Sequence, residues 1–287
     1  MSDPIFTMYQ KVQLELVRKL KKYKGPKPLQ FNASELSRCK TALYYRLAGF
    51  IPAMEAVSMS GYGPDGDMHH DQVRHALKKA GAKVSGVTFN KDGTVKENTS
   101  VIITVKNRGM EYKISMRLDG FIHISHRKHV LEVKSLGFWK YKPLAEVWEK
   151  TGSEAAVVAW LKENRKDIMY QTHACMVGTG VPRTYLLIKG RDNCLTGLHA
   201  GDKIIGGPVI NFDKAVWEEA LQRLTTVVKH LHLGSPPPPE YIPSSYECMR
   251  LCKYRYLCHD ADRRRKHALH PAALHPQLGT KTHIDDK

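Results

Sequence analysis

Long apolar runs are missing from this 287-residue chain. Nowhere do about 18 consecutive apolar residues occur, so a membrane-spanning helix is not expected. A signal-peptide pattern and a lipidation motif are also lacking, and the expected location is the cytoplasm. The phosphate-cradling loop G-x-x-x-x-G-K-[ST] does not occur, which removes helicase chemistry of that kind. Acidic residues are scarce beside basic ones: 28 Asp and Glu against 45 Lys and Arg, a formal charge of +17. Such a surplus favours a polyanionic partner, with nucleic acid ahead of an anionic membrane surface. Cysteines number only six, and in a long chain without a secretory signal they argue against a disulfide framework. What remains, 42% of it hydrophobic, can bury one large core, or one core with an appended subdomain.

Periodicity divides the chain into blocks. Residues 5–24 read as a basic amphipathic helix with Met8, Val12, Leu16 and Leu20 on one side. A helix over 33–48 opens at Asn32 or Ser34, and another runs from about Asp67 to Ala80. From 83 to 135 the pattern is that of strands, including one continuous alternation from Tyr112 to Ile124. The polar tract Ser125 to Lys128 turns that strand into a second arm, His129 to Ser135. Helices are expected near 153–163 and 167–178, then strands at Thr184–Lys189 and Cys194–Ala200. A long helix around Asp213–Leu233 ends at Gly234, ahead of the stiff run Pro236–Pro239.

Chemistry concentrates in the strand block. Leu118-Asp119-Gly120 precedes Leu131-Glu132-Val133-Lys134, which supplies two acids and a lysine. In a strand, Glu132 and Lys134 share a face, and a hairpin brings Asp119 to the neighbouring arm. Two carboxylates and a lysine are what phosphodiester hydrolysis needs: oxygens for a divalent cation, and a cation to orient water or offset developing charge. An isolated E-x-K is far more commonly a surface ion pair. Upstream, Gly66-Asp67-Met68-His69-His70-Asp71 opens a helix; downstream, Gln171 lies on another. Either histidine alone reads as well as a solvent-facing or capping residue.

Together the order G-x-x-x-H, h-D-G, E-x-K and a helical Gln resembles the PD-(D/E)XK nuclease superfamily, in its RecB-like exonuclease branch. The resemblance covers about residues 30–260 and implies an α/β, restriction-endonuclease-like core, a central mixed β-sheet flanked by helices. It makes Asp119 and Glu132 carboxylate ligands of Mg²⁺ or Mn²⁺, with the Val133 carbonyl and His70 completing the set. The G-x-x-x-H spacing selects His70 over His69. Lys134 becomes the catalytic lysine and Gln171 the helical motif residue. Cys175 stands where the family often has Tyr, four residues after that Gln.

Cys39 precedes this core, and Cys248, Cys252 and Cys258 follow it as C-x3-C-x5-C. Four soft thiolates suit a [4Fe–4S] cluster or zinc, and a one-plus-three layout favours iron–sulfur, since zinc sites more often read as two close pairs. The layout resembles the iron–sulfur nucleases of the superfamily, the AddB-type subunit and the CRISPR-adaptation exonuclease. There such a cluster joins the N- and C-terminal segments in a small subdomain. Cys175 and Cys194 read as core residues.

The implied organisation is an N-terminal helical segment over 1–60, a nuclease core over 61–235, a cysteine segment over 236–262 and a flexible basic tail over 263–287. The implied activity is a metal-dependent DNA exonuclease acting on ends or single strands, in recombination, phage DNA processing or CRISPR adaptation. The rival is a nuclease-like module that grips DNA without cutting it inside a larger complex. Arg117, Lys140 and Tyr141 are the candidate DNA contacts, beside Phe138 and Trp139, which serve equally as stacking platforms or as core. Self-association or a partner helicase or integrase fits the family.

Overall fold

The computed structural model describes residues 29–50, 62–90, 95–190, 204–205, 207–242, 244–245, 248 and 252–258. The expected helix at 5–24, the strand from Cys194 and the basic tail lie outside the described residues, as does the side chain of His69. In chain order the elements are β1 (Gln30–Asn32), a 3₁₀ turn (Ala33–Glu35), α1 (Lys40–Leu47), α2 (Tyr62–Lys79), β2 (Val84–Ser85), β3 (Val87–Phe89), β4 (Val95–Asn98), β5 (Ser100–Asn107), β6 (Met110–Arg117), β7 (Phe121–Ile124) and β8 (Arg127–Leu136). Then come α3 (Phe138–Thr151), α4 (Glu154–Asn164), α5 (Lys166–Thr179), β9 (Arg183–Gly190), β10 (Ile204–Ile205), β11 (Val209–Asn211), α6 (Lys214–Leu233) and α7 (Arg255–Cys258). No helix among the described residues is long and apolar enough to cross a membrane.

The architecture is mixed α/β. A mixed sheet runs β10-β9-β8-β7-β2, with β11 paired to β9, and its central pair β8–β9 is parallel. Central β8 is buried along Val130–Val133 because both its faces are covered, and this takes Glu132 out of water with its apolar neighbours. On one face α2 seals a small core of Val73, Ile122, Leu131, Val133 and Leu187. On the other lies the main core, which includes Leu186 and Ile188 of β9 and Ile168, Met169 and Tyr170 of α5. A second sheet, β1-β6-β5, packs on the same main core, and β3–β4 form a separate ribbon.

Three expectations are corrected by this arrangement. The single strand from Tyr112 to Ile124 is two strands in two sheets, because the chain turns at Leu118-Asp119-Gly120. Gly120 makes that corner possible: its φ is +133°, and a Cβ there would sit 2.9 Å from the Ser85 carbonyl oxygen. Asp119 therefore stands at a sheet-switching corner just before the hairpin, not within its first arm. The hairpin itself closes through Ser125 and His126, both at positive φ, as tight two-residue turns demand. The helix over 33–48 is also broken, since the Arg223 guanidinium binds the carbonyls of Leu36 at 3.3 Å and Arg38 at 2.8 Å and draws them out of any helical ladder. Finally, α3 went unforeseen, its helical signal interrupted by Pro143.

α5 and α6 meet through a buried histidine. His173 Nδ1–H donates to the Met169 carbonyl at 2.7 Å, which leaves Nε2 to accept the Asp213 N–H at 3.0 Å. Burial holds this imidazole below its ordinary pKa, since protonation would desolvate a charge and destroy the acceptor. The neutral ring's contribution is complete above the unfolded value of about 6.5 and lost as pH falls below it. The melting midpoint is expected to fall between about pH 7.5 and 5.5, and to fall less steeply in His173→Gln; equal slopes in thermal scans would remove His173 from that role.

Candidate functional site

The Asp119 corner, strand β8 and helices α2 and α5 converge at one place. Glu132 and Lys134 leave β8 on the same side, as strand alternation dictates, and their side chains meet with Nζ 2.6 Å from Oε1. Gln171, on α5, closes a triangle: its amide donates to Glu132 Oε1 at 2.9 Å, and its carbonyl accepts from Lys134 Nζ at 2.7 Å. Glu132 Oε2 is buried and has no hydrogen-bond partner.

Asp119 is held from three directions. Its Oδ2 accepts the Val133 N–H at 2.8 Å, while Oδ1 faces His70 Nδ1 at 3.2 Å and accepts from Arg74 Nη1 at 3.3 Å. Arg74, fully buried, also donates to Asp71. His70, Asp71 and Arg74 come from one turn of α2, which delivers an imidazole, an acid and a cation to one side.

These surroundings push the two carboxyls apart. Burial works to raise Asp119, but the bond and charge of His70, the Arg74 cation and the Val133 N–H outweigh it and hold it low. Glu132 is raised, chiefly by burial and further by the Asp119 charge, against the pull of Lys134. Burial acts to lower Lys134, yet Glu132 and Asp119 overcome it and keep the ammonium protonated. Two nearby carboxyls with opposed shifts are a common mark of working sites.

The structure thus brings together His70, Asp119, Glu132, Lys134 and Gln171, as the sequence led us to expect. Val133 takes part through its N–H on Asp119. Among the described residues, no three His, Cys, Asp or Glu side chains are gathered around one point as a metal would require. Asp119 is turned to His70 and Arg74, and Glu132 to Lys134 and Gln171. Arg117 lines the adjoining cavity with His70, Asp119 and Gln171, whereas Lys140 and Tyr141 do not. Lys140 is exposed at the start of α3, and the Tyr141 ring lies against Gly190, where a Cβ would sit 3.1 Å from it. Trp139 is 82% exposed and therefore not core. Sequence reasoning missed Arg74; its signal was spacing, four residues after His70 and three after Asp71, one helical turn.

The cysteines lie elsewhere. Cys39 directly precedes α1 at its N-cap, Cys248 is buried, and Cys252 and Cys258 are half-buried against the main core. Burial raises the Cys252 thiol against the pull of the Tyr254 N–H, and Cys39 and Cys248 lie within electrostatic range and raise it further. Cys175 is buried behind Glu132 and Lys134, a core residue as expected, and Cys194 lies outside the described residues.

No family model and no curated protein matches this chain. Among solved structures, the crystal structure of SSO0001 is similar at 16% identity and a TM-score of 0.47, covering 90% of this chain and 98% of that one. An alkaline exonuclease, LHK-Exo from Laribacter hongkongensis, is similar at 15% identity and a TM-score of 0.39, covering 71% and 89%. LHK-Exo in complex with dAMP gives 14% and 0.37, covering 71% and 88%. These are likenesses of outline, and the functional reading rests on the side chains themselves.

Removing Arg74 leaves Asp71 and Asp119 facing each other without their shared cation. Arg74→Met is expected to destabilise the fold by about 3–5 kcal/mol, read from chemical denaturation. A loss under about 1 kcal/mol would show that the two acids do not depend on it.

Proposed function

We propose that this chain is a divalent-cation-dependent DNA exonuclease of PD-(D/E)XK type, hydrolysing phosphodiester bonds at ends or in single strands. The observation that carries this reading is the buried triangle of Glu132, Lys134 and Gln171 beside Asp119 and His70, with Glu132 Oε2 unpartnered. A buried carboxylate oxygen without a donor is costly, and a cation would satisfy it. Hard oxygens with one imidazole are the donor chemistry that Mg²⁺ or Mn²⁺ takes, and holding the ion would require Asp119 and Glu132 to turn toward it from their present partners. Asp119, Glu132, His70 and the Val133 carbonyl would hold it. The ion supplies Lewis acidity toward the phosphoryl oxygens and a lowered pKa for water.

The chain's own contribution is position and charge. Gln171 donates to the acid and accepts from the lysine, so one neutral amide fixes both orientations. Lys134, kept charged by Glu132, stands beside the acid, where it can orient the attacking water or offset charge growing on the phosphate. Burial of this set keeps water from weakening those interactions. Arg117, on the cavity wall, supports a polyanionic substrate, in keeping with the +17 charge.

We also propose that Cys39, Cys248, Cys252 and Cys258 hold a [4Fe–4S] cluster. Support comes from the soft donor set and from the hydrogen bonds of Lys40 and Thr41 to Glu240 and Pro237, which fasten the segment after Cys39 to the one before Cys248.

The test is a time course on end-labelled single- and double-stranded DNA with Mg²⁺ or Mn²⁺. Wild type should produce a metal-dependent ladder, and Lys134→Ala should slow it by about a hundredfold or more. DNA binding without cleavage by wild type would replace this reading with the DNA-gripping module. For the cysteines, Cys252→Ala should lose iron and visible absorbance in metal analysis, whereas stoichiometric zinc in wild type would exclude the cluster.

A further inference from the structure

His70, Asp119 and Gln171 form one part of the lining of a cavity beside Glu132 and Lys134. Its volume is about 440 Å³, and much of the rest of its lining comes from the β1–β6–β5 sheet, including Asn32, Ser100, Ile102, Ser115 and Arg117. Burial alternates without interruption along β5: Ser100, Ile102, Thr104 and Lys106 point out, and Val101, Ile103 and Val105 are half-buried. The inner side is closed by α5, where a Cβ on Gly178 would sit 2.6 Å from Met116 Sδ.

On the outer side the ladder aligns side chains in rows. Asn32, Ser115 and Ile102 form one row, Lys113 and Thr104 the next, and Arg117 and Ser100 the row nearest Asp119. Asn32, Ser115, Ile102 and Arg117 line the same cavity as His70 and Asp119, so this face and the acids share one space. Its floor is polar and already ordered, with Ser115 Oγ donating to Asn32 Oδ1 at 2.9 Å and Asn32 Nδ2 donating to Glu35 at 3.0 Å. Ile102 breaks that polarity, since 56% of it is exposed at the cavity's edge.

We infer that this sheet face is the entry track for a single DNA strand, whose reacting nucleotide enters the cavity unpaired, its base against Ile102 and its phosphates on Lys113 and Arg117. The inference rests on the nuclease reading above and deepens it by naming the strand state of the substrate. Three observations carry it. The space, about 440 Å³, admits about one nucleotide and not a base pair with both its backbones. A base delivered from a duplex must first be unpaired and unstacked, a cost that a single strand does not carry. Lys113 and Arg117 lie four residues apart on one side of β6, about 14 Å, and so reach different phosphates of one extended strand. An exposed aliphatic side chain between those cations gives a base the apolar contact that single-strand grooves provide.

The test measures binding in EDTA, where nothing is cut, by fluorescence anisotropy of a labelled single-stranded oligonucleotide and of a blunt duplex of the same sequence. Lys113→Glu and Ile102→Asp alter exposed side chains, so their melting midpoints should match wild type. Each should weaken single-strand binding by about tenfold, and Lys113→Glu should also flatten the salt dependence by about one contact. Wild type should bind the single strand more tightly than the blunt duplex. Unchanged single-strand affinity in both variants, or equal affinity of wild type for both DNAs, overturns the track. Cleavage with Mn²⁺ is read in parallel. Wild type that cuts, with variants that bind normally, sinks the track and keeps the nuclease; wild type that never cuts, with variants that lose binding, does the reverse.

Discussion

The hydrogen bond from the Val133 amide to Asp119 Oδ2, 2.8 Å long, fastens the corner between the two sheets to β8, beside the Leu131 N–H on the Gly120 carbonyl at 2.9 Å. Asp119 sits where the chain leaves the β1–β6–β5 sheet for the sheet built on β8. Val133 sits on β8 between Glu132 and Lys134. One backbone donor therefore fixes the first acid relative to the second acid and the lysine, whatever side-chain motion occurs around them. The corner that allows this depends on Gly120, whose backbone passes so close to Ser85 that no side chain fits. Geometry at the site is thus set by backbone, which varies less than rotamers do.

Charge balance explains why so many ionisable groups persist in a buried place. Asp71, Asp119 and Glu132 bring three formal negative charges, and Arg74 and Lys134 bring two positive ones. The cations are distributed unevenly: Arg74 serves Asp71 and Asp119, and Lys134 serves Glu132. Each acid is compensated, yet one oxygen, Glu132 Oε2, has no donor. A site built only for stability would have satisfied that atom or replaced the group with an apolar one, because buried ion pairs seldom improve stability over hydrophobic packing. The unmet oxygen and the raised Glu132 mark a place where folding preference was set aside.

What could be read from the sequence, and what could not, follows the range of the interactions involved. Glu132 and Lys134 were legible because period-two alternation alone puts them on one side, and Gln171 because a helix after the strands must cross back over the sheet. Asp119 was assigned the right company but the wrong setting, since alternation ran unbroken through a corner that only a glycine at positive φ reveals. The break between the 3₁₀ turn and α1 was illegible for another reason: Arg223 imposes it from nearly two hundred residues away. Arg74 stayed hidden because an arginine on an amphipathic helix looks like a solvated one until its partners are known. The short strands β1, β10 and β11 carry too few residues for any periodicity to show.

The same Arg223 shows how the two ends of the described chain are held. Its guanidinium binds both oxygens of Glu240, at 2.8 and 3.0 Å, while Glu240 also accepts the Lys40 N–H at 2.7 Å. Thr41 donates to the Pro237 carbonyl at 3.0 Å and Tyr45 to that of Leu257 at 3.2 Å, so α1 is fastened to the segment beyond α6 at several points. Cys39 directly precedes α1, Cys248 and Cys252 belong to the segment beyond α6, and the side chains around the acids come from other elements. A cluster there would therefore reinforce a contact that protein groups already make. Its effect on the chemistry would be indirect, through the rigidity of α1 and of the β1 strand just before it. That strand is an edge of the very sheet whose corner carries Asp119, which is how a distant clasp and a buried acid come to share one mechanical element.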